Sequence, residues 1–194
     1  MTKNEITLKI RQRLDEVGVN EVISLNFPIE PFIEESANQV FFDVPAHLTA
    51  NIVEFLDADI TANSDGSGVV KLPDEFVRLV EFKMKGWVVS LTKAENFTNA
   101  LLQRQNNKMT KANPLKPVVA INGGDLCYFV VDGEHEIEIA KAQVYMKNIT
   151  DYPSHLADMI AWLAASKVLQ VMNESALSNN ALKQYENLLK NIRG

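Results

Sequence analysis

Metal- and redox-capable side chains are scarce in this 194-residue chain, which carries one cysteine and three histidines. Cys127 stands alone, so neither an intramolecular disulfide nor a cysteine-based zinc site is available, and the chain suits a reducing compartment. It lies in an apolar run that favours an inert, buried thiol. His47, His135 and His155 fall in separate segments without an i, i+4 partner, so no HExxH-type zinc site is written. Each is expected to be an isolated surface side chain. Around His135, strand alternation would put Glu134, Glu136 and Glu138 on one face and the imidazole on the other, a polar strand edge rather than a ligand set.

Basic charge is also short. The formal charge of -6 and the pI near 5.1 exclude a broad basic surface gripping phosphates, so tight binding of duplex DNA is not expected. Mild acidity mainly favours solubility, and it also suits the wall of a channel through which DNA slides. No run approaches the roughly 20 apolar residues that span a bilayer. The opening MTKNEITLKIRQRLDE scatters charge among its apolar positions, unlike a signal peptide. GxSxG and a phosphate loop ending in GK[ST] are both missing. Asp57, Asp59 and Asp65 with Gly66 miss the EF-hand spacing, because Ala62 takes the glycine position and Gly68 that of the bidentate glutamate. The sequence therefore implies no cofactor and no metal. A carboxylate pair for glycoside hydrolysis is left open, since acids are plentiful and their separations are not written in sequence.

Apolar content, by contrast, is ample at 46%, enough for a real core in one domain with an embedded subdomain. Ile6, Ile10, Leu14 and Val17 recur at helical spacing over residues 4–17, and Gly18 supplies a stop. A second helical stripe runs from Ile29 through Phe32, Ile33, Ser36, Ala37 and Val40 to Pro45, and a short third helix is expected over Ala46 to Phe55. A polar stretch at Asp57 to Gly68 then introduces a strand, Val69 to Leu72. Pro73 to Phe76 reads as one helical turn. Leu79 to Leu91 alternate around Gly86 as a hairpin, with Trp87, like Trp162 later, serving the core. Val118 to Ile121 and Leu126 to Val131 flank a turn at Asn122 to Asp125, and a further strand covers Glu136 to Met146. About four to six antiparallel strands are expected.

Between the strands, Lys93 to Pro117 contains a short helix at Phe97, Leu101 and Leu102 and is otherwise polar. Lys93, Arg104, Lys108, Lys111 and Lys116 against Glu95 give +5 - 1 = +4, so Arg104, Lys108 and Lys111 are candidate contact residues for an acidic neighbour or nucleic acid. The chain closes with a helix starting near Asp151 to Ser154, with Ser154 or Asp151 as cap and an alanine-rich apolar face. After Asn173 to Ser175 comes a last helix carrying Leu177, Leu182, Tyr185, Leu188, Leu189 and Ile192. The two should pack as an antiparallel pair. The class is thus α+β: a helical bundle from residues 1–56 and 151–194, with an antiparallel β-rich subdomain inserted over residues 57–150.

Two segments carry a resemblance. Residues 70–87, with Leu72-Pro73-Asp74-Glu75-Phe76 leading to Arg78 and Leu79, resemble the strand, turn and strand element of head-to-tail adaptor rings of short-tailed phages, crAss-like phages included. Tyr152-Pro153, the helix through Ala161 to Ala165 and the final helix resemble the C-terminal helical hairpin of the same proteins. The resemblance implies a non-enzymatic structural subunit of a homo-oligomeric, dodecameric ring. Such a ring would bind the portal protein and other tail or ring proteins and let packaged DNA pass without sequence-specific contact. It would be made in the bacterial cytoplasm, reside in the virion neck or tail and touch no membrane. It also makes Leu182, Tyr185, Leu189 and Ile192, within Leu182 to Gly194, candidates for docking on the portal. Two other readings stay open at the level of sequence: a peptidoglycan hydrolase and a nucleic-acid-binding module.

Overall fold

The computed structural model describes residues 1–19 and 27–193. Among them, five α-helices and eight strands form, divided into a unit of Met1–Ala50 with Met146–Gly194 and a unit of Asn51–Tyr145. The protein is α+β, a helical bundle with an inserted sheet region. The unit boundaries fall a few residues before 57 and 151, because the chain after Ala50 pairs as strand.

In the first unit, α1 (Lys3–Glu16), α2 (Glu30–Asp43), α4 (Ala157–Val171) and α5 (Ser175–Arg193) share one core. Helix α1 starts with a capping box: Thr2 Oγ1 accepts from Glu5 N–H, and Glu5 Oε2 accepts from Thr2 N–H at 2.7 Å. It ends where Gly18 takes φ +94. Helix α4 has ten of its fifteen residues buried, so it is largely enclosed, and the charged Asp158 and Lys167 fall among the few positions that are not buried. Helices α1, α2 and α5 all pack against it. Ala157, Ala161, Ala164 and Ala165 are each fully buried and keep its girth small enough for three neighbours. Each fully buried Ile or Leu in this core contributes about 1.5–3 kcal/mol.

Polar groups fix the bundle's details. Ser178 Oγ donates to the Ser166 carbonyl at 2.9 Å, locking α5 to α4. Asp158 receives Lys9 at 2.9 Å and Arg13 at 2.8 Å, and the Arg13 guanidinium lies 5.1 Å from the Trp162 ring centre. Buried Asn38 clasps the chain where it returns to the bundle: its Nδ2 donates to the Met146 carbonyl, and its Oδ1 accepts from Met146 N–H. The expected cap of α4 is not made. A 3-10 turn, Ser154–Leu156, leads in without a side-chain cap, and Asp151 instead holds the N-terminal ammonium at 2.8 Å.

The second unit contains two sheets. The first is three-stranded and antiparallel, in the order β1 (Ile52–Glu54), β8 (Ile137–Val144), β4 (Phe76–Met84). The second runs β2 (Ile60–Ala62), β3 (Gly68–Lys71), β7 (Asp125–Phe129), β6 (Val118–Asn122), β5 (Glu95–Asn96), antiparallel except for the parallel β5–β6 pair. One core joins both sheets: Leu79, Phe82, Ile137 and Ala140 from the first with Val70, Val119, Leu126 and Tyr128 from the second. Phe82 stacks on Phe55 and meets the edge of Trp87, with ring centres 6.3 and 5.9 Å apart.

Three sequence expectations are corrected here. The helix expected over Ala46 to Phe55 stops as a 3-10 turn at Leu48, since Ile52–Glu54 pair with Lys141–Gln143. Pro73 to Phe76 is not a helical turn: Glu75 takes φ +56, which reverses the chain and carries it from the second sheet to the first. The hairpin around Gly86 shrinks to a single bridge, Phe82 with Leu91. Its other side is drawn away, because Trp87 Nε1 donates to the Val130 carbonyl and Val88 N–H to the Pro114 carbonyl. The strand count also exceeds the expected range, and β5–β6 is not antiparallel.

Asn51 and Gln143, both buried, close the insert near its ends. Gln143 Nε2 donates to Asn51 Oδ1, Asn51 Nδ2 to the Val144 carbonyl, and Arg78 Nε to Gln143 Oε1. Such a satisfied network stabilises and specifies register together.

The Asp158 cluster yields a pH signature. Hydrogen bonds from Lys9 and then Arg13 hold its carboxyl below the ordinary aspartate range. Its stabilising effect is therefore complete above about pH 4, the unfolded value, and is lost as pH falls through the lower folded value. Half-exposed pairs are worth about 0.2–1 kcal/mol each. Asp158→Asn should cost about 0.5–1 kcal/mol in urea unfolding at pH 7, and the difference from wild type should vanish near pH 2.

Candidate functional site

The basic segment is built on α3 (Asn99–Asn106), which starts where Thr98 Oγ1 accepts from Leu101 N–H. Leu101 is buried and anchors the helix, whereas Arg104 is tied to Glu95 at 2.6 Å. Beyond α3 come two tight turns. Lys111 N–H returns to the Asn107 carbonyl, and Lys116 N–H to the Asn113 carbonyl. Lys93, Lys108, Lys111 and Lys116 are exposed and make no ion pair among the described residues. Three large apolar side chains stand out among them: Met109 is 93% exposed, Leu115 67% and Val88 63%. Val88 is held against the Pro114–Leu115 turn by its N–H bond to Pro114. Of the three expected contact residues, Lys108 and Lys111 are free and Arg104 is engaged.

A cavity of about 600 Å³ opens in the same unit. The turn between β2 and β3 gives it one side through Asn63, Asp65 and Ser67. The end of α3 and the following turn give another through Gln105, Asn106 and Lys111, and Val69, Cys127 and Phe129 line it from the sheet. Ser67 donates to Asp65 Oδ1 through its hydroxyl at 2.6 Å and its N–H at 3.0 Å, which lowers the Asp65 carboxyl below its usual range. Gln105 Oε1 accepts from Ala112 N–H at 2.8 Å, and that bond fixes the amide's orientation. Gln105 Nε2 is then a buried donor with no partner, a state that costs about 1–3 kcal/mol.

Strain adjoins this cavity. Val130 holds φ +66, an outlier for a β-branched residue, and such conformations cost about 1–3 kcal/mol. Its carbonyl takes the Trp87 indole N–H at 2.8 Å, and the neighbouring Val131 N–H donates to Gly66 at 2.7 Å. Fully buried Tyr128 crosses Gly68, and its hydroxyl shares a hydrogen bond of 2.5 Å with His135 Nδ1. Burial pushes the Tyr128 phenol up to about 12. His135 is thus half-buried and partnered, a correction to the isolated surface side chain expected of it; His47 and His155 are exposed.

The terminal helix divides its expected docking residues. Tyr185 is buried, and its hydroxyl donates to Asp43 Oδ2 at 2.5 Å; burial first, then Asp43, raises its pKa. Leu182, Leu189 and Ile192 are only partly covered by the bundle core. Gly194, the end of that segment, lies outside the described residues.

No group of three or more His, Cys, Asp or Glu able to hold a metal occurs among the described residues. Cys127 is buried, and desolvation raises its thiol pKa, the reverse of an activated nucleophile. Glu134 and Glu136 do converge, but on exposed Lys85, at 3.7 and 2.5 Å. The cavity lining contains one carboxylate, Asp65, where glycoside hydrolysis uses two. No described helix is long and apolar enough to cross a membrane. The sequence matches no protein-family model and no curated protein.

A methyl group at Gly68 would lie 2.2 Å from Tyr128 Oη and 2.7 Å from the Thr61 carbonyl oxygen. Neither backbone nor buried ring can yield cheaply. Gly68→Ala should therefore cost about 2–3 kcal/mol, the upper range for overpacking, measured as a fall in the thermal or urea midpoint.

Proposed function

We propose that this protein is a structural subunit of a phage head-to-tail connector ring that binds the portal, carries the tail and lines the DNA channel. The observation that carries the reading is the chain's division into a helical unit of residues 1–50 and 146–194 and a sheet unit, residues 51–145, inserted in its sequence. That is the layout the adaptor resemblance implies, and it goes with the strand, turn and strand element of residues 70–87 and the α4–α5 hairpin.

A closed rotational ring needs two different complementary flanks on every subunit, because its contacts are heterologous. The exposed turns of residues 107–116 offer one flank: apolar Met109 and Leu115 among unpaired lysines. The rest of the chain, at -6 - 4 = -10, supplies acidic surface for the opposite flank. On this reading Leu182, Leu189 and Ile192 on α5 reach the portal, and the protein contributes contact area rather than a bond-making step. Modest contacts then gain strength by repetition around the ring. Its net negative charge lets DNA slide without being held.

The test is assembly on the portal. Purified protein mixed with the portal ring should give a closed ring at one portal face in electron-microscopic reconstruction. Lys108→Glu with Lys111→Glu should weaken assembly about tenfold, near 1.4 kcal/mol, with the fold intact. A particle whose head-to-tail junction lacks this chain would refute the proposal.

A further inference from the structure

Apart from Lys111, which it shares with the exposed turns of residues 107–116, the cavity of the sheet unit is not needed for ring contacts, and its polar groups are sorted by type. On the hairpin side, Asn63 Nδ2 donates to Ser67 Oγ at 2.9 Å, which leaves Asn63 Oδ1 as an open acceptor. Asp65 uses Oδ1 for Ser67, and its Oδ2 has no partner among the described residues. This side therefore offers oxygen acceptors and one negative charge. On the helix side, Gln105 Nε2 is a donor without an acceptor, and Lys111 carries a cation with no ion pair. Between the two sides lie Val69, Cys127 and Phe129, with Phe97 and Leu102 completing an apolar lining.

We infer that this cavity binds a short zwitterionic molecule with an apolar body, an apolar amino acid or dipeptide. Its ammonium group faces Asn63 and Asp65, its carboxylate faces Gln105 and Lys111, and its side chains cover the sheet. A dianion would meet Asp65 and a dication would meet Lys111, whereas a molecule charged oppositely at its two ends matches both sides. The volume of about 600 Å³ lies in the usual range for small-ligand sites and accommodates a dipeptide. Two further observations favour a ligand site over a packing gap. The enclosed Gln105 donor lacks the partner that buried polar groups almost always have. Strained Val130 also lines the cavity, and strain that a fold maintains concentrates at binding sites.

The experiment is an amide-resonance titration of the full chain with Leu-Phe, N-acetyl-Leu-Phe and Leu-Phe-amide. Leu-Phe should shift the Gly68, Val69 and Phe129 amides saturably at millimolar concentration or below. Blocking either terminus should weaken binding at least tenfold. Asp65→Asn should weaken Leu-Phe but leave the N-acetyl form nearly unchanged, and Lys111→Met should do the same for Leu-Phe and its amide. Both positions are exposed, so unchanged resonances elsewhere will certify the fold. Absence of shifts, shifts outside the cavity, or equal binding of the blocked peptides would overturn the inference and leave the connector reading untouched.

Discussion

The helical unit depends on the enclosure of α4. A helix with apolar residues over most of its surface cannot be left against water, and residues 157–171 bury ten of their fifteen side chains with α1, α2 and α5 packed against them. The alanines set how closely those neighbours approach. Interactions that look local follow from the same constraint: Asp158 and Trp162 sit where α4 meets α1, so Lys9 and Arg13 find partners there, and Ser166 meets Ser178 where α5 folds back. Because α1 and α2 precede the insert and α4 follows it, the chain must return to its starting body after 95 residues, the span of Asn51–Tyr145. Asn38 secures that return by gripping both polar groups of Met146.

The insert solves its own problem separately. Two short sheets share a core around Phe82, and the chain changes sheets at Glu75, where a left-handed residue makes the reversal. Its two ends meet through β1 and β8 and the Asn51–Gln143 network, so the sheet unit fits a single interruption of a helical body. The end of helix α3 and the turn after it line the cavity through Leu102, Gln105, Asn106 and Lys111, together with Val69, Cys127 and Phe129 from the sheet.

Much of this was legible in the sequence where one local pattern decides the outcome. The 3.6-residue stripes of α1, α2, α4 and α5 and the Asn122–Asp125 turn needed no distant partner to be read. The elements missed were those decided at long range. Ile52–Glu54 continues a helical-looking stretch and becomes strand because Ala142 and its neighbours, far along the chain, offer a ladder. Phe76–Met84 departs from strict alternation because register shifts place Leu79 and Phe82 on the same buried side. Tyr185 shows the limit of reading a stripe: the pattern identifies an apolar face but not what covers it, and here the bundle itself does. The cavity had no sequence signal, since its walls come from segments spread over residues 63–130.

The connector proposal and the ligand site rest on this division of labour, with a helical body fixed by α4 and an insert that carries exposed turns and a cavity. Native-state hydrogen exchange of the intact chain tests the division most directly, because protection reports which amides open only with their whole unit. The account predicts that the slowest amides of the helical unit lie in α4 between Ile160 and Leu169, with α1 and the end of α5 exchanging sooner. If α4 exchanges as fast as α1, the enclosure of that helix is not what holds the unit together.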